Sequence, residues 1–318
     1  MLVSLFIGRY PLSVSEVLQA LAFQLGLGNA DVPATHINVV WDIRLPRAIL
    51  GAAVGASLAV SGASFQGMFR NPLVSSNILG VSSGAGFGAA LAIILFQGQA
   101  VYIYLFAFAF GLLAVVLSYM IGVTYKIAPT IMLVLGGVVV SSIFASLISL
   151  LKYLADPYDQ LPSIVFWLMG SLATAQFSDI LISAIPMAVG VLGLLLMRWR
   201  LNVLSMGDVE ARALGVNVMI SKSLAIFFAT IATAGAVSVS GIIGWVGLVI
   251  PHIGRMLVGT NHNLLIPVSL SLGAMYLVLI DNIARTLTGA EIPLGILTSL
   301  IGGPFFIYLI KRTKARGW

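Results

Sequence analysis

Of the 318 residues, 60% are hydrophobic and 8% charged, and the mean hydropathy is +1.09; so little charge cannot cover a soluble surface, and the solvent must be lipid. The net charge of +6 lies on basic residues scattered between apolar runs without interleaved aromatics, which excludes nucleic acid as partner and makes those residues topology signals. Cysteine is absent, which excludes disulfides, thiolate metal sites and a cysteine nucleophile.

In hydrocarbon every backbone amide must be paired internally, so apolar runs of about 20 residues read as helices. The ten-residue alternation of barrel strands does not occur. Residues 1–7 look like the tail of a helix cut short at Gly8-Arg9, and the expectation is a truncated first helix or a misplaced start. Nine spans follow, near 48–68, 78–96, 101–125, 130–151, 180–197, 224–249, a shorter one at 250–258, then 264–283 and 292–310. The whole chain, 1–318, reads as a single transmembrane domain.

Orientation follows from Lys and Arg. One side collects Arg70, Lys126, Arg198, Arg200, Arg212, Lys222, Arg255 and the tail Lys311, Arg312, Lys314 and Arg316. The other holds Arg9, Arg44, Arg47, Lys152 and Arg285 with most carboxylates. The positive-inside rule makes the first side, and the C-terminus, cytoplasmic. Segment 152–179 is then outside, and its apolar stretch 164–173 is too short to cross, reading as a re-entrant or surface helix. Ser61-Gly62 precedes Pro72 with the spacing by which Ser240-Gly241 precedes Pro251, a weak echo of the inverted repeats common in transporters.

Most enzyme chemistry is missing. Lys222-Ser223 has no P-loop glycines before it, so the chain does not bind ATP in that manner. His36, His252 and His262 form no ligand pair and read as packing or interfacial residues. A proton-driven carrier needs a carboxylate within a span; Glu16, Asp31, Asp42, Asp156, Asp159, Asp179, Asp281 and Glu291 fall at or near the outer side, and only Asp281 dips into a helix end. A secondary carrier or channel is therefore the alternative reading, and a membrane enzyme ranks third.

Three features stand out. Arg44-Leu45-Pro46-Arg47 places two arginines at the outer start of a helix, either snorkelling to lipid phosphates or pairing with carboxylates of an acidic partner; Arg285 lies on the same side. The cytoplasmic segment 206–217 reads as a short amphipathic helix stopped at Gly215, with Ala211 and Leu214 offered to a partner groove. The 33 glycines concentrate in the spans, as expected of close helix packing.

These segments resemble the FecCD-type permeases of type II ATP-binding-cassette (ABC) importers for iron–siderophore, haem and cobalamin. The resemblance is carried by Arg44-Leu-Pro-Arg47, Gly55-Ala-Ser-Leu-Ala-Val-Ser-Gly-Ala63, Gln66, Asn71-Pro-Leu73 and Leu79-Gly-Val-Ser-Ser-Gly-Ala85. Further on it includes Ala211-Arg-Ala-Leu-Gly215, Gly247-Leu-Val-Ile-Pro-His-Ile-Gly-Arg255 and Glu291-Ile-Pro-Leu-Gly295.

The resemblance implies an all-α bundle of ten helices, a homodimer in the inner membrane of a bacterium or archaeon, two ATPase subunits that bring ATP and Mg, and a periplasmic solute-binding protein. It implies that Arg44, Arg47 and Arg285 dock carboxylates of that protein. Gly207, Asp208, Ala211, Leu214 and Gly215 would form the coupling helix seated in the ATPase. Asn71, Leu73, Pro129 and Thr130 would lie near the cytoplasmic gate. No cofactor or metal is implied for this chain. The cargo stays open between a ferric siderophore, haem, cobalamin and an oxyanion such as molybdate or tungstate.

Overall fold

The computed structural model describes residues 2–27, 32–123 and 130–313, with the backbone alone at 123, 130 and 309–313. Among these residues the chain is helical and contains no strand. The N-terminal region forms a 3-10 turn at Leu2–Leu5, α1 (Val14–Gln24) and α2 (Ala34–Ile37). A π segment, Asn38–Arg44, leads into α3 (Leu45–Phe69). The π turn has a physical cause: Pro46 cannot donate to the carbonyl of Asp42, and its ring needs that carbonyl further away.

α4 (Val81–Leu95), α5 (Ala100–Val123), α6 (Thr130–Leu154), the short α7 (Gln160–Met169) and α8 (Phe177–Leu196) follow. Next come α9 (Arg198–Met206) and α10 (Asp208–Ala213), then α11 (Val218–Ser240), α12 (Val246–Val258), α13 (His262–Leu287) and α14 (Leu294–Thr313). Among the described residues six helices are long and apolar enough to cross a membrane: Ala34–Phe69, Ala100–Gly122, Ile131–Leu154, Phe177–Leu196, Val218–Ser240 and His262–Leu287.

The expected span 224–249 is not one helix. α11 ends at Ser240, Gly241 and the non-glycine Trp245 both take positive φ (67° each), and α12 begins at Val246. Thirteen residues make α12 about 20 Å long, short of a hydrocarbon core of about 30 Å. Its outer end is shielded by protein instead. The last turn of α7 packs its Trp167 carbonyl on Gly241 and its Met169 carbonyl on Gly295. Ser171 N donates to Ser240 O (2.8 Å) and Leu294 N to Gly170 O (2.8 Å). Three interrupted helices thus satisfy one another's backbone away from lipid. α7 itself is a ten-residue helix within the expected outer segment.

α3 is the axis. Nearly every side chain from Pro46 to Phe69 is buried, and the helix packs against α8, α11, α12 and α13. Lipid supplies no hydrophobic drive between helices, so association rests on close van der Waals contact through small residues. Gly55 of α3 lies on the backbone of Gly273 in α13, each where a Cβ would collide with the other's carbonyl, and a Cβ on Gly62 would collide with the Gly247 carbonyl of α12. Gly67 leaves room for the His262 ring, buried and bonded to no acceptor or donor through either nitrogen. That is the packing role expected for it.

Overpacking a well-filled contact costs about 1–3 kcal/mol or more. Gly55→Leu should therefore lower the thermal unfolding midpoint in detergent sharply or abolish folding. Gly289→Ala, which meets no atom within 4 Å, should leave it unchanged.

Candidate functional site

Two polar assemblies lie at the ends of α3. The outer one centres on Arg47, in the first turn of the helix. Its Nε donates to both oxygens of Asp281 in α13 (2.8 and 2.9 Å), while Nη1 and Nη2 meet Oε1 (2.9 Å) and Oε2 (2.8 Å) of Glu291 in the α13–α14 loop. Such doubly forked pairs are the strong ones. One turn after Asp281, Arg285 holds its Nε 4.0 Å from that carboxylate. Its Nη2 donates to Ser4 O (2.7 Å), Ser4 Oγ (2.9 Å) and Asn282 Oδ1.

Arg44 donates to two backbone carbonyls, Leu5 O (2.7 Å) and Tyr10 O (2.5 Å). Arg9 caps the end of α13 through the carbonyls of Arg285 (2.8 Å), Thr288 (2.5 Å) and Gly289 (2.6 Å). Burial pushes the Glu291 carboxyl up, but the hydrogen bonds and charge of Arg47, with Arg9 and Arg285, outweigh it and hold the group below its usual range.

This geometry corrects the expectation for the three arginines. Arg44, Arg47 and Arg285 are only 3%, 4% and 5% exposed, and their guanidinium groups are engaged within the chain. They do not offer a free fork to an outside carboxylate. They knit residues 4–10, α3 and α13 together. Arg9, Ser4 and Asn282 complete the assembly and escaped sequence reasoning, because no local pattern links residues 281 positions apart. Glu291 stood in a quoted motif without a role.

The inner assembly surrounds α10. Gly207 joins α9 to α10 at φ 143°, a conformation that favours glycine. Gly215 closes the helix at φ 76°, with Val216 N donating to Ala211 O (2.9 Å) and Gly215 N to Arg212 O (2.9 Å), as a glycine stop requires. Ala211 is fully buried in a cluster with Val203, Leu204, Val216 and Val218. It does not face outward as expected. The exposed apolar side chains are Met206, Val209 and Leu214, with Val209 75% exposed. Asp208 is tethered to α11 by Lys222 Nζ at 2.7 Å. A short helix braced from behind thus turns a bare apolar ridge to the inner side.

Between α3 and α4 the chain runs through Asn71 and Leu73, both exposed. Asn71 Oδ1 accepts from Leu73 N (2.9 Å), and Gln66 Nε2 pins the loop through Val74 O (3.0 Å) while also reaching Gly247 O (3.1 Å). Thr130 starts α6, and Pro129 lies outside the described residues. α6 packs on α4 and α5 and leaves another face open. Along that face Ser142, Ser146 and Ser149 return their hydroxyl protons to carbonyls one turn back, at 2.9–3.0 Å. It is uncharged but not wholly apolar.

At the outer side Tyr104 donates to Asp179 Oδ1 (3.1 Å) at the mouth of a cavity of about 520 Å³ between α5, α7, α8 and the end of α11. Asp179 also accepts from Gln176 N (2.9 Å), which fixes the start of α8. Among the described residues no group of three His, Asp or Glu side chains is placed to hold a metal.

A model of the FecCD transport family matches residues 1–312. Over 315 residues the chain is 44% identical to the molybdate import system permease protein MolB of Haemophilus influenzae, covering 99% of this chain and 93% of that one. Over 309 residues it is 40% identical to the cobalamin import system permease protein BtuC of Halobacterium salinarum, with 97% and 82% covered. It also superposes on a solved chain described as a metal-chelate type ABC transporter in an inward-facing conformation. The TM-score is 0.83 at 42% identity, covering 94% of this chain and 97% of that chain.

Removing one partner of a buried ion pair leaves an uncompensated charge and costs about 3–5 kcal/mol. Asp281→Asn, which takes the carboxylate from Arg285 and leaves Arg47 only that of Glu291, should therefore destabilise the chain, towards the lower end of that range, in thermal or denaturant unfolding. Asp42→Asn, which carries no such pair, should leave it within experimental error.

Proposed function

The chain belongs to the FecCD transport family, and from that premise we propose how this permease subunit of an ABC importer is organised and what it carries. It is a multi-pass membrane protein and a transport component, not itself an enzyme. Membership brings ATPase and binding-protein partners; ATP and Mg belong to the ATPase subunits.

The observation that carries the reading is α10. A six-residue helix with Ala211 locked behind it and Val209 and Leu214 bare in front has the form of a coupling helix seated in an ATPase groove. The side rich in Lys and Arg, which includes α10, faces the cytoplasm of a bacterial or archaeal cell. The open face of α6 meets a second copy across a central pathway, with lipid around the rest. Its hydroxyls give that pathway a weakly binding, uncharged lining.

Asn71, Leu73 and the start of α6 at Pro129-Thr130 gate the inner mouth, and α7 moves at the outer one. The binding protein docks over the outer ends of α3 and α13, on a platform that Arg44, Arg47 and Arg285 make rigid rather than by direct pairing with them. ATP binding and hydrolysis bias two states through differential contacts at α10. The cargo is a metal chelate or a molybdate-type oxyanion, the classes named for the relatives.

Proteoliposomes holding the chain with its ATPase and binding protein test this reading directly. A panel of labelled ferric chelate, haem, cobalamin and molybdate should give ATP-dependent, vanadate-sensitive uptake of one member. Uptake indifferent to ATP and vanadate would instead make the chain a secondary carrier.

A further inference from the structure

α3 ends in an unusual way. Its C-terminal residue, Arg70, adopts φ 50° and ψ 37°, the left-handed conformation that helices usually assign to glycine at this position. The turn is otherwise a regular stop, with Asn71 N donating to Gln66 O (3.1 Å) and Arg70 N to Gly67 O (3.2 Å). A side chain at such a position costs on the order of 1 kcal/mol relative to glycine. A glycine would serve the backbone better, so the arginine must be there for its side chain.

That side chain leads to α10. Arg70 Nη1 lies 3.4 Å from the point where Gly207 would carry a Cβ, and the Glu210 carboxylate occupies the same space from the other side. The guanidinium and the carboxylate therefore flank the Cα of the buried Gly207, the residue from which α10 starts. Lys222, on α11, holds the next residue, Asp208, at 2.7 Å. α10 thus has one cationic tether, which runs to α11. A second cation, on the residue that opens the Asn71–Leu73 loop, lies beside its start.

We propose that Arg70 is a positioning residue for transport, transmitting movement of α10 to the inner end of α3 and the loop after it. The proposal rests on the reading of α10 as the helix that engages the ATPase. When α10 shifts with its partner, Gly207 and Glu210 press on or draw the Arg70 guanidinium. The loop carrying Asn71 and Leu73 begins one peptide bond away. Gly207 has no side chain to stand between the two, and a Cβ there would displace the Glu210 carboxylate.

Arg70→Gly tests the proposal because it relieves the backbone while deleting the contact. In the complete transporter with its ATPase and binding protein, thermal stability should hold or rise and ATP hydrolysis should persist. Cargo moved per ATP hydrolysed should fall roughly tenfold, the scale of a modest coupling free energy. Arg70→Asn, which tolerates the same backbone conformation without the charge, should show the same loss and serves if the glycine variant fails to assemble. An unchanged ratio of uptake to hydrolysis in either assembled variant, with a coupled wild type, would overturn the role of Arg70. A wild type whose uptake ignores ATP would instead overturn the reading of α10 beneath it.

Discussion

The structure depends on how closely other backbones can approach α3. In water a helix pair is driven together by expelling solvent, but lipid tails are as apolar as leucine, and only close contact pays. Gly55 against Gly273 and Gly62 against Gly247 supply that contact near the two halves of the helix. The same rule recurs where Gly84 and Gly88 of α4 meet the Phe110 and Phe106 carbonyls of α5, and where Gly190 of α8 meets Phe228 of α11. α3 is enclosed by α8, α11, α12 and α13.

Both ends of this axis carry arginine, used in opposite ways. At the outer end Arg47 is buried and doubly paired, which makes Asp281 a structural counter-ion rather than a free proton carrier. Its strength comes from low dielectric and complete pairing, and the same burial makes removal of either partner costly. At the inner end Arg70 is exposed on a strained backbone, beside a helix that displays Val209 and Leu214. On the proposed reading one end is held and the other is moved, an asymmetry that suits an importer whose cargo arrives on one side and whose ATPase works on the other.

Much of this was legible in the residues. Long apolar runs had to become helices, and Gly215 stops α10 as its position implies. The break at 240–245 was not legible, because Ile242, Ile243 and Trp245 continue the apolar run and lipid-compatible composition hides a loop that protein covers. The arginine motif was visible in the sequence, but the partners of its arginines were not: Asp281 lies 234 positions from Arg47, and Leu5 lies 39 from Arg44. Over six residues α10 is too short for periodicity to choose its face, so Ala211, expected to face outward, is buried while Val209 is exposed.

The central claim, that the Asn71–Leu73 loop at one end of α3 moves while the other end is held, is open to one distance measurement. The chain has no cysteine, so spin labels at Ile43→Cys and Leu73→Cys, both exposed positions, would report without background. Helical rise puts them about 40 Å apart. With labelled chain diluted in unlabelled chain, the Ile43–Leu73 distribution within one subunit should shift or split between nucleotide-free and ATP–vanadate states of the full transporter. A distribution that keeps its mean and width on trapping would show that the loop after α3 does not move, and would contradict the account.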